Sequence, residues 1–215
     1  QVLEKLQELN ATGCVEFLAE PYSHGLASLV NEDSFAKEVK RQASKIKEYF
    51  GKEPTVLRNS SLIYSDDIGL QASQMGFEGM LTEGAKHVLG WKSPHYVYHC
   101  PIAPNLKLLL RDIRLSDDIS LRFNNSSWDG YPLFADTYIN EIAALPQEEQ
   151  IINIFIHFAL PRNIVHIMQI NLDFFANIEE ICVLIIVVEF VCFTGQVRHF
   201  VQVVSTGSDE IINCM

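Results

Sequence analysis

Short apolar runs alternate with amphipathic segments along most of the chain. Apolar residues at helical spacing mark 1–11, 33–50, 68–75 and 134–144. Five apolar runs have the length of a strand, and they lie at 14–19, the start of 55–64, 77–84, 119–123 and 152–160. Strands that alternate with helices are typical of parallel β/α units, so the pattern predicts an α/β fold.

The segment 33–50 is the clearest predicted helix. Asn31 or Asp33 can cap its N-terminus, and Gly51 can end it. Its apolar stripe consists of Phe35, Val39, Ala43, Ile46 and Phe50.

Three further segments allow less specific predictions. Residues 103–112 fit a short helix or an extended connection. The run 181–193 is interrupted by Glu189 and is shorter than the ~20 residues of a membrane span, so it indicates a buried strand pair or a core helix. Residues 196–205 alternate like a strand.

Each of the five predicted strands is followed by a polar loop. In barrels built of β/α units, the side chains that handle ligands follow the C-terminal ends of the strands. Arg58 begins the second of these loops and is a candidate for substrate binding. The loops expected on one face are 20–24, 58–64, 82–87, 122–128 and 157–160.

Composition narrows the classes of partner. Hydrophobic residues make up 48% and charged residues 20% of the 215 residues, which is a globular composition. The net charge of -11 argues against nucleic acid as the main partner and fits a neutral or cationic ligand. Neither a membrane partner nor a particular oligomeric state is predicted.

Cysteine usage and motifs predict neither a metal nor a cofactor. The five cysteines are scattered without a CxxC pair, which favours reduced thiols in a reducing, cytoplasmic compartment over a zinc site. No GxSxG, HExxH, Walker or dinucleotide motif is present. The chain starts at Gln1 without a leader, and we interpret its N-terminus as internal to a longer protein.

Two loops contain side chains suited to sugars. Glu20, Tyr22 and His24 follow the first predicted strand, where they either bind sugar hydroxyls or form a loop that caps the next helix. Glu83 and Trp91 occur in one loop; Trp91 is either an exposed floor for a sugar ring or a core residue.

Three other positions have competing interpretations. Trp128 lies in a Gly/Asn/Ser-rich loop and either binds a sugar or packs within the loop. Asp118 and Arg122 form either an ion pair across a strand edge, the favoured reading, or a clamp for hydroxyls. His157 stands alone in an apolar strand, where a core histidine is the usual reading.

Five segments in order carry a resemblance to a known family. They read GCVEFLAEPYSHGLASL, VLRNSSLIYSDDIG, MGFEGMLTEGAKHVLGWKSPHYVY, LLLRDIRLSDDISLRF and SSWDGYPLFADTY. The chain resembles the α-amylase-like branch of glycoside hydrolase family 57 over about residues 12–160. The resemblance implies an incomplete, seven-stranded (β/α) barrel that acts on α-glucans with retention, using a Glu nucleophile and an Asp acid/base.

Both catalytic positions of the family pattern are substituted. The pattern RNTELIYSDEI reads RNSSLIYSDDI here, so the resemblance puts Ser61 at the nucleophile position. The pattern NIFMDYETFGEH reads NIFIHFALPRN here, so His157 stands at the acid/base position. A retaining glycosidase needs both carboxyl groups, and an unactivated serine does not replace one. The resemblance therefore implies a scaffold without the family mechanism.

The resemblance also sets the expected domain boundaries. The family's first strand would precede Gln1, and no family pattern continues after about Arg162. We expect an incomplete barrel domain over 1–162, lacking the usual first strand, and a divergent segment over 163–215 packed on it.

Three functions remain open from the sequence. The first is a catalytically inactive homologue with a vestigial cleft for an α-glucan or maltooligosaccharide. The second is an active hydrolase of α-glucans that uses other carboxylates, drawn from Glu20, Asp66, Glu83 and Asp118. The third is a truncated or degenerate protein with a structural or interaction role.

Overall fold

The computed structural model describes residues 2–13, 15–146, 148–149, 151–158, 184–191 and 198–205. The helices in this part of the chain are α1 (Val2–Thr12), α2 (Glu32–Phe50), α3 (Asp66–Gln74), α4 (Lys86–Leu89), α5 (Ile113–Asp117) and α6 (Ala135–Ala143). The strands are β1 (Val15–Phe17), β2 (Val56–Arg58), β3 (Gly79–Glu83), β4 (Tyr98–Cys100), β5 (Ala103–Arg111), β6 (Ile152–Phe158), β7 (Leu184–Val191) and β8 (Arg198–Ser205).

These strands form one mixed sheet in the order β1-β8-β7-β6-β5-β3-β2, with β4 added to β5. The pairs from β2 through β3, β5 and β6 to β7 are parallel, whereas β8 is antiparallel to both β7 and β1. The α/β prediction is thus confirmed. The sheet is not closed, although an isolated parallel bridge joins Ala19 to Leu57, so the barrel stays a prediction.

Helix α2 has the caps and the buried stripe that its sequence predicts. The Asn31 side chain accepts a hydrogen bond of 2.8 Å from the Ser34 N–H, which satisfies a free donor of the first turn. Gly51 ends the helix at φ 79°, a left-handed conformation that glycine adopts without steric cost. Phe35 and Val39 are fully buried and pack in the main core.

That core lies between α2, α3 and the parallel part of the sheet. Its sheet side is formed by Leu57, Met80 and Leu106, which are completely buried on neighbouring strands. Ile68 and Ala72 from α3 belong to the same cluster. Burial of this cluster fixes the strands β2, β3 and β5 side by side, and their C-terminal ends share one edge.

The structure decides between two alternatives for one segment in the middle of the chain and corrects the prediction for another. Residues 103–111 form the strand β5, so the extended alternative is right. The strand predicted at 119–123 is wrong, because Asp118–Arg122 forms a π-helical turn that continues from α5. The Asp112 side chain accepts a hydrogen bond of 2.7 Å from the Leu115 N–H and starts this helical stretch.

The C-terminal half of the sheet includes two strands beyond the region of family resemblance. The apolar run 181–193, predicted as a buried strand pair or a core helix, contains the single strand β7, and β8 confirms the strand predicted at 196–205. The residues 159–183 and 206–215 lie outside the described part, so how the whole segment 163–215 packs stays a prediction. In the described part of the chain, the helices are all too short or too polar to cross a bilayer.

Candidate functional site

The C-terminal ends of β2, β3 and β5 place polar side chains along one edge of the sheet. The three strands are parallel neighbours, and the bridge from Ala19 to Leu57 adds the chain that follows β1 to the same edge. Sequence-predicted residues from several loops therefore lie along this edge, although Glu20, His24, Arg58, Ser61 and Glu83 are not among the residues that line the cleft beside Trp91. This is the edge at which α/β sheets commonly bind ligands.

Glu20, His24 and Arg58 form a buried cluster at the end of β1 and β2. The Glu20 side chain is nearly inaccessible, and its Oε2 lies 3.4 Å from His24 Nδ1 and 3.6 Å from Arg58 Nη1. The backbone N–H of Glu20 donates to Gln42 Oε1 on α2 at 3.2 Å. Since the carboxylate is buried, the nearby Arg58 guanidinium compensates part of its desolvation. Tyr22 is half-exposed and stacks under Arg41.

Ser61 occupies a tight turn directly after β2. Asn59 holds the turn: its Oδ1 accepts from the Ser60 N–H at 2.9 Å, and its Nδ2 donates to the Ile63 carbonyl at 2.9 Å. Ser61 has φ 52° and Leu62 has φ 56°, a left-handed conformation that is uncommon for residues with a side chain. Leu62 is buried, whereas Ser61 is exposed. The turn therefore presents the Ser61 hydroxyl to solvent.

Glu83 ends β3 and is held by Arg111 at the end of β5. Arg111 Nη1 lies 3.3 Å from Glu83 Oε1, and its Nη2 donates to Asp117 on α5. Arg111 is buried, while the Glu83 side chain is about one third exposed. The arginine thus ties two adjacent strand ends to the helical segment that follows them.

Asp118 and Arg122 form an ion pair, as the favoured of the two sequence interpretations predicted. The pair lies within a helical turn and not across a strand edge. Arg122 Nε lies 2.7 Å from Asp118 Oδ1, and Arg114 Nη1 lies 3.9 Å from Asp118 Oδ2. Burial raises the pKa of Asp118 despite the nearby guanidinium of Arg122. The Arg122 guanidinium is also 5.7 Å from the ring of Trp128, which is half-buried.

Trp91 borders an open cleft between the α4 loop and the start of α5. Its side chain is 92% exposed, which rules out the core reading. The cleft has a volume of about 610 Å³, within the range of small-ligand sites. It is lined by Trp91 and by the charged residues Lys86, Lys92, Asp112, Arg114 and Arg122. Trp128 contacts Arg122 but does not line the cleft.

A buried group of three residues at this edge escapes sequence analysis. His95 Nε2 lies 2.7 Å from Asp112 Oδ2, and His95 Nδ1 bonds to Glu149. Burial by itself lowers the pKa of His95, but the hydrogen bonds with Asp112 and Glu149 outweigh it and raise the pKa. Burial raises the pKa of Asp112, but the hydrogen bonds from His95 and Leu115 lower it overall.

This group is invisible in the sequence because its members are 17 and 37 positions apart. The cue available in the sequence is Asp112 as a helix cap three residues before Leu115. The pairing itself follows from the strand order, which brings the end of β5 against the chain that leads into β6. The Ile151 N–H donates to the His95 carbonyl at 3.1 Å and completes this junction.

His157 lies in β6, where its backbone pairs with Glu189 of β7. The side chain of His157 falls outside the described residues, so its proposed place at the acid/base position stays a prediction. Groups of three or more His, Cys, Asp or Glu side chains able to hold a metal ion do not occur in the described ranges.

Comparison with known proteins places the chain in a family context. Residues 1–159 match the sequence model of glycosyl hydrolase family 57. A Methanocaldococcus jannaschii protein with the name "Putative alpha-amylase" is 43% identical over 158 residues, which are 73% of this chain and 33% of that protein. The chain thus spans about a third of the length of this relative.

Two solved structures show weaker similarity. The "novel alpha-amylase AmyC from Thermotoga maritima" has 15% identity and a TM-score of 0.46, and the match covers 57% of this chain and 24% of that one. The "putative polysaccharide deacetylase from Mycobacterium smegmatis" has 20% identity and a TM-score of 0.48, with 66% and 49% covered.

Proposed function

Because the chain belongs to glycosyl hydrolase family 57, we propose that it is an α-amylase-like homologue that binds an α-glucan without hydrolysing it. The ligand is a maltooligosaccharide or a longer α-glucan, bound along the edge where β2, β3 and β5 end. The observation that supports the proposal is Ser61, an exposed hydroxyl in the turn after β2, where the resemblance puts the family's nucleophilic carboxylate.

The chemistry of retaining hydrolysis explains why this substitution matters. One carboxylate must attack the anomeric carbon while a second carboxyl group protonates the leaving oxygen. A serine attacks only when a neighbouring base removes its proton. Within the described residues, the Ser61 hydroxyl forms no hydrogen bond with an imidazole or a carboxylate.

The other acids at this edge are occupied by structural partners, which supports the same reading. Glu20 is buried against His24 and Arg58, and Glu83 binds Arg111. Asp118 is shared between two arginines. Asp66 accepts a hydrogen bond of 2.9 Å from the Tyr64 hydroxyl at the start of α3. These contacts weigh against hydrolysis through alternative carboxylates.

Sugar binding requires an apolar platform together with polar groups, and the edge has both. An exposed tryptophan ring buries a large apolar area when a sugar ring stacks on it. Trp91 is such a ring, and Arg114 and Arg122 beside it can donate to sugar hydroxyls or ring oxygens.

Calorimetry with maltohexaose, combined with a product assay, tests the proposal. We expect measurable binding, no released sugar above the uncatalysed background, and at least tenfold weaker binding for Trp91→Ala. Val30→Ala, an exposed apolar side chain on the loop before α2, serves as the matched control and should bind normally. Absence of binding at millimolar sugar refutes the glucan ligand.

The proposal also predicts the outcome of restoring the missing acid. Ser61→Glu should gain little or no hydrolysis, because the resemblance puts His157 where the second carboxyl group is needed. Strong hydrolysis by Ser61→Glu alone contradicts the double substitution. Hydrolysis by the unmodified chain that disappears in Glu20→Gln or Glu83→Gln refutes the inactive reading.

A further inference from the structure

The Trp91 cleft carries a concentration of positive charge that a neutral glucan does not require. The chain has 16 Lys and Arg against 27 Asp and Glu, yet four of its basic side chains line this one cleft. The single acid among the lining residues is Asp112. Arg114 and Arg122 pair with carboxylates of the protein, so the charge left for a ligand in this cleft is that of Lys86 and Lys92.

The acid in the lining makes its hydrogen bonds with residues other than the two lysines. Asp112 Oδ2 lies 2.7 Å from His95 Nε2, and Asp112 Oδ1 accepts from the Leu115 N–H at 2.7 Å. Both carboxylate oxygens are thus engaged on the protein side of the cleft. In the described part of the chain, Asp112 forms no ion pair with Lys86 or Lys92.

The basic residues differ in how far the protein already satisfies them. Arg122 pairs with Asp118, and Arg114 pairs with Asp118 and Glu141. Lys86 and Lys92 are exposed and form no ion pair within the described part of the chain. The two lysines are therefore the cations available to a ligand, whereas the two arginines already pair with carboxylates.

We propose that this cleft takes an anionic sugar, a glucosyl unit that bears a phosphate monoester, with its ring on Trp91 and its phosphate on Lys86 and Lys92. The inference rests on the proposed function for the sugar and adds the charge class of the ligand. A phosphate carries nearly two negative charges and several acceptor oxygens, which suits two ammonium groups better than a hydroxyl does. The cleft volume of about 610 Å³ has room for such a unit and its neighbour.

Three titrations of the full chain separate the possible anions and sugars. The probes are maltotriose, maltotriose carrying a 6-phosphate, and inorganic phosphate, each followed by calorimetry at low and at physiological salt. We expect the phosphorylated trisaccharide to bind at least tenfold more tightly than maltotriose and than phosphate alone. Its affinity should fall with added salt, whereas that of maltotriose should not.

Charge removal tests the residues. The double variant Lys86→Gln/Lys92→Gln should bind the phosphorylated trisaccharide about tenfold or more weakly, because it loses the charge-assisted hydrogen bonds to the phosphate. Its affinity for maltotriose should be unchanged. Lys40→Gln with Lys52→Gln, two exposed lysines elsewhere, is the matched control. Trp91→Ala should weaken both sugars.

The outcomes distinguish the two proposals. Equal affinity for both sugars, or full affinity in the Lys86/Lys92 variant, overturns the anionic ligand while glucan binding stands. Inorganic phosphate binding as tightly as the phosphorylated sugar overturns the sugar part of the inference. Binding of neither sugar refutes the glucan-binding function itself.

Discussion

Replacing His95 removes the central member of the buried group that joins the end of β5 to the chain before β6. His95→Gln cannot bridge Asp112 and Glu149 as the imidazole does, so two largely buried carboxylates lose their shared partner. Breaking a buried charged pair from one side costs about 3–5 kcal/mol. Because Asp112 keeps the Leu115 N–H, we expect the lower end, about 3 kcal/mol.

The loss should depend on pH in a predictable direction. The folded protein raises the pKa of His95, so this contribution to the free energy of unfolding is complete below the unfolded value of ~6.5 and is lost as the pH rises through the folded pKa. The folded protein lowers the pKa of Asp112, so that contribution is present above ~3.9 and is lost as the pH falls through its folded pKa.

Urea unfolding followed by circular dichroism measures both effects. The destabilisation by His95→Gln should be largest near pH 5.5 and smaller near pH 9, and with a slope of roughly 2 kcal/mol/M the midpoint should drop by about 1.5 M at the lower pH. His87→Gln, an exposed histidine in α4, is the control and should unfold like the parent. A loss below about 1 kcal/mol, or the same loss at both pH values, refutes this reasoning.

Two further substitutions test the local structure around the site. A methyl group on Gly84 would overlap the carbonyl oxygen of Arg111, so Gly84→Ala should cost about 1–3 kcal/mol and lower the thermal midpoint; an unchanged midpoint contradicts the close approach of the two backbones. Asn31→Ala removes the hydrogen bond to the Ser34 N–H and should cost about 1 kcal/mol in urea unfolding, whereas Asn31→Ser should retain most of it.

The periodic elements were predictable because local signals agree with the packing. In α2 the cap at Asn31, the apolar stripe and the terminal Gly51 all define the same helix. For β5 the sequence left a short helix or an extended connection open, although Leu106, Leu108 and Leu110 alternate and are buried in the core. A short alternating run fits an extended connection equally well, and only its position between β3 and β6 makes it a central strand.

The wrong strand at 119–123 has a cause outside that segment. Five residues of alternating character carry little information, and the helical stretch is started further upstream by Asp112. The same carboxylate contacts His95 with its second oxygen, so its position depends on a tertiary contact. Glu20 and His24 are predictable as neighbours because they are four positions apart in the sequence. The sheet, in contrast, brings together His95 and Glu149, which are 54 positions apart.

The turn after β2 and the buried cluster beside it differ in how much the fold depends on their side chains. The turn is held by the Asn59 side chain and by the burial of Leu62, while the Ser61 side chain is exposed and contributes no hydrogen bond within the described residues. The side chain at 61 therefore contributes little to folding, and a substitution there should leave the strand ends in place. Glu20 and Arg58 are different: both are buried, and loss of either leaves a buried charge without this partner. We therefore expect substitutions at 61 to cost little stability, whereas substitutions of Glu20 or Arg58 should destabilise the edge of the sheet. The proposed function, glucan binding without hydrolysis, requires this asymmetry.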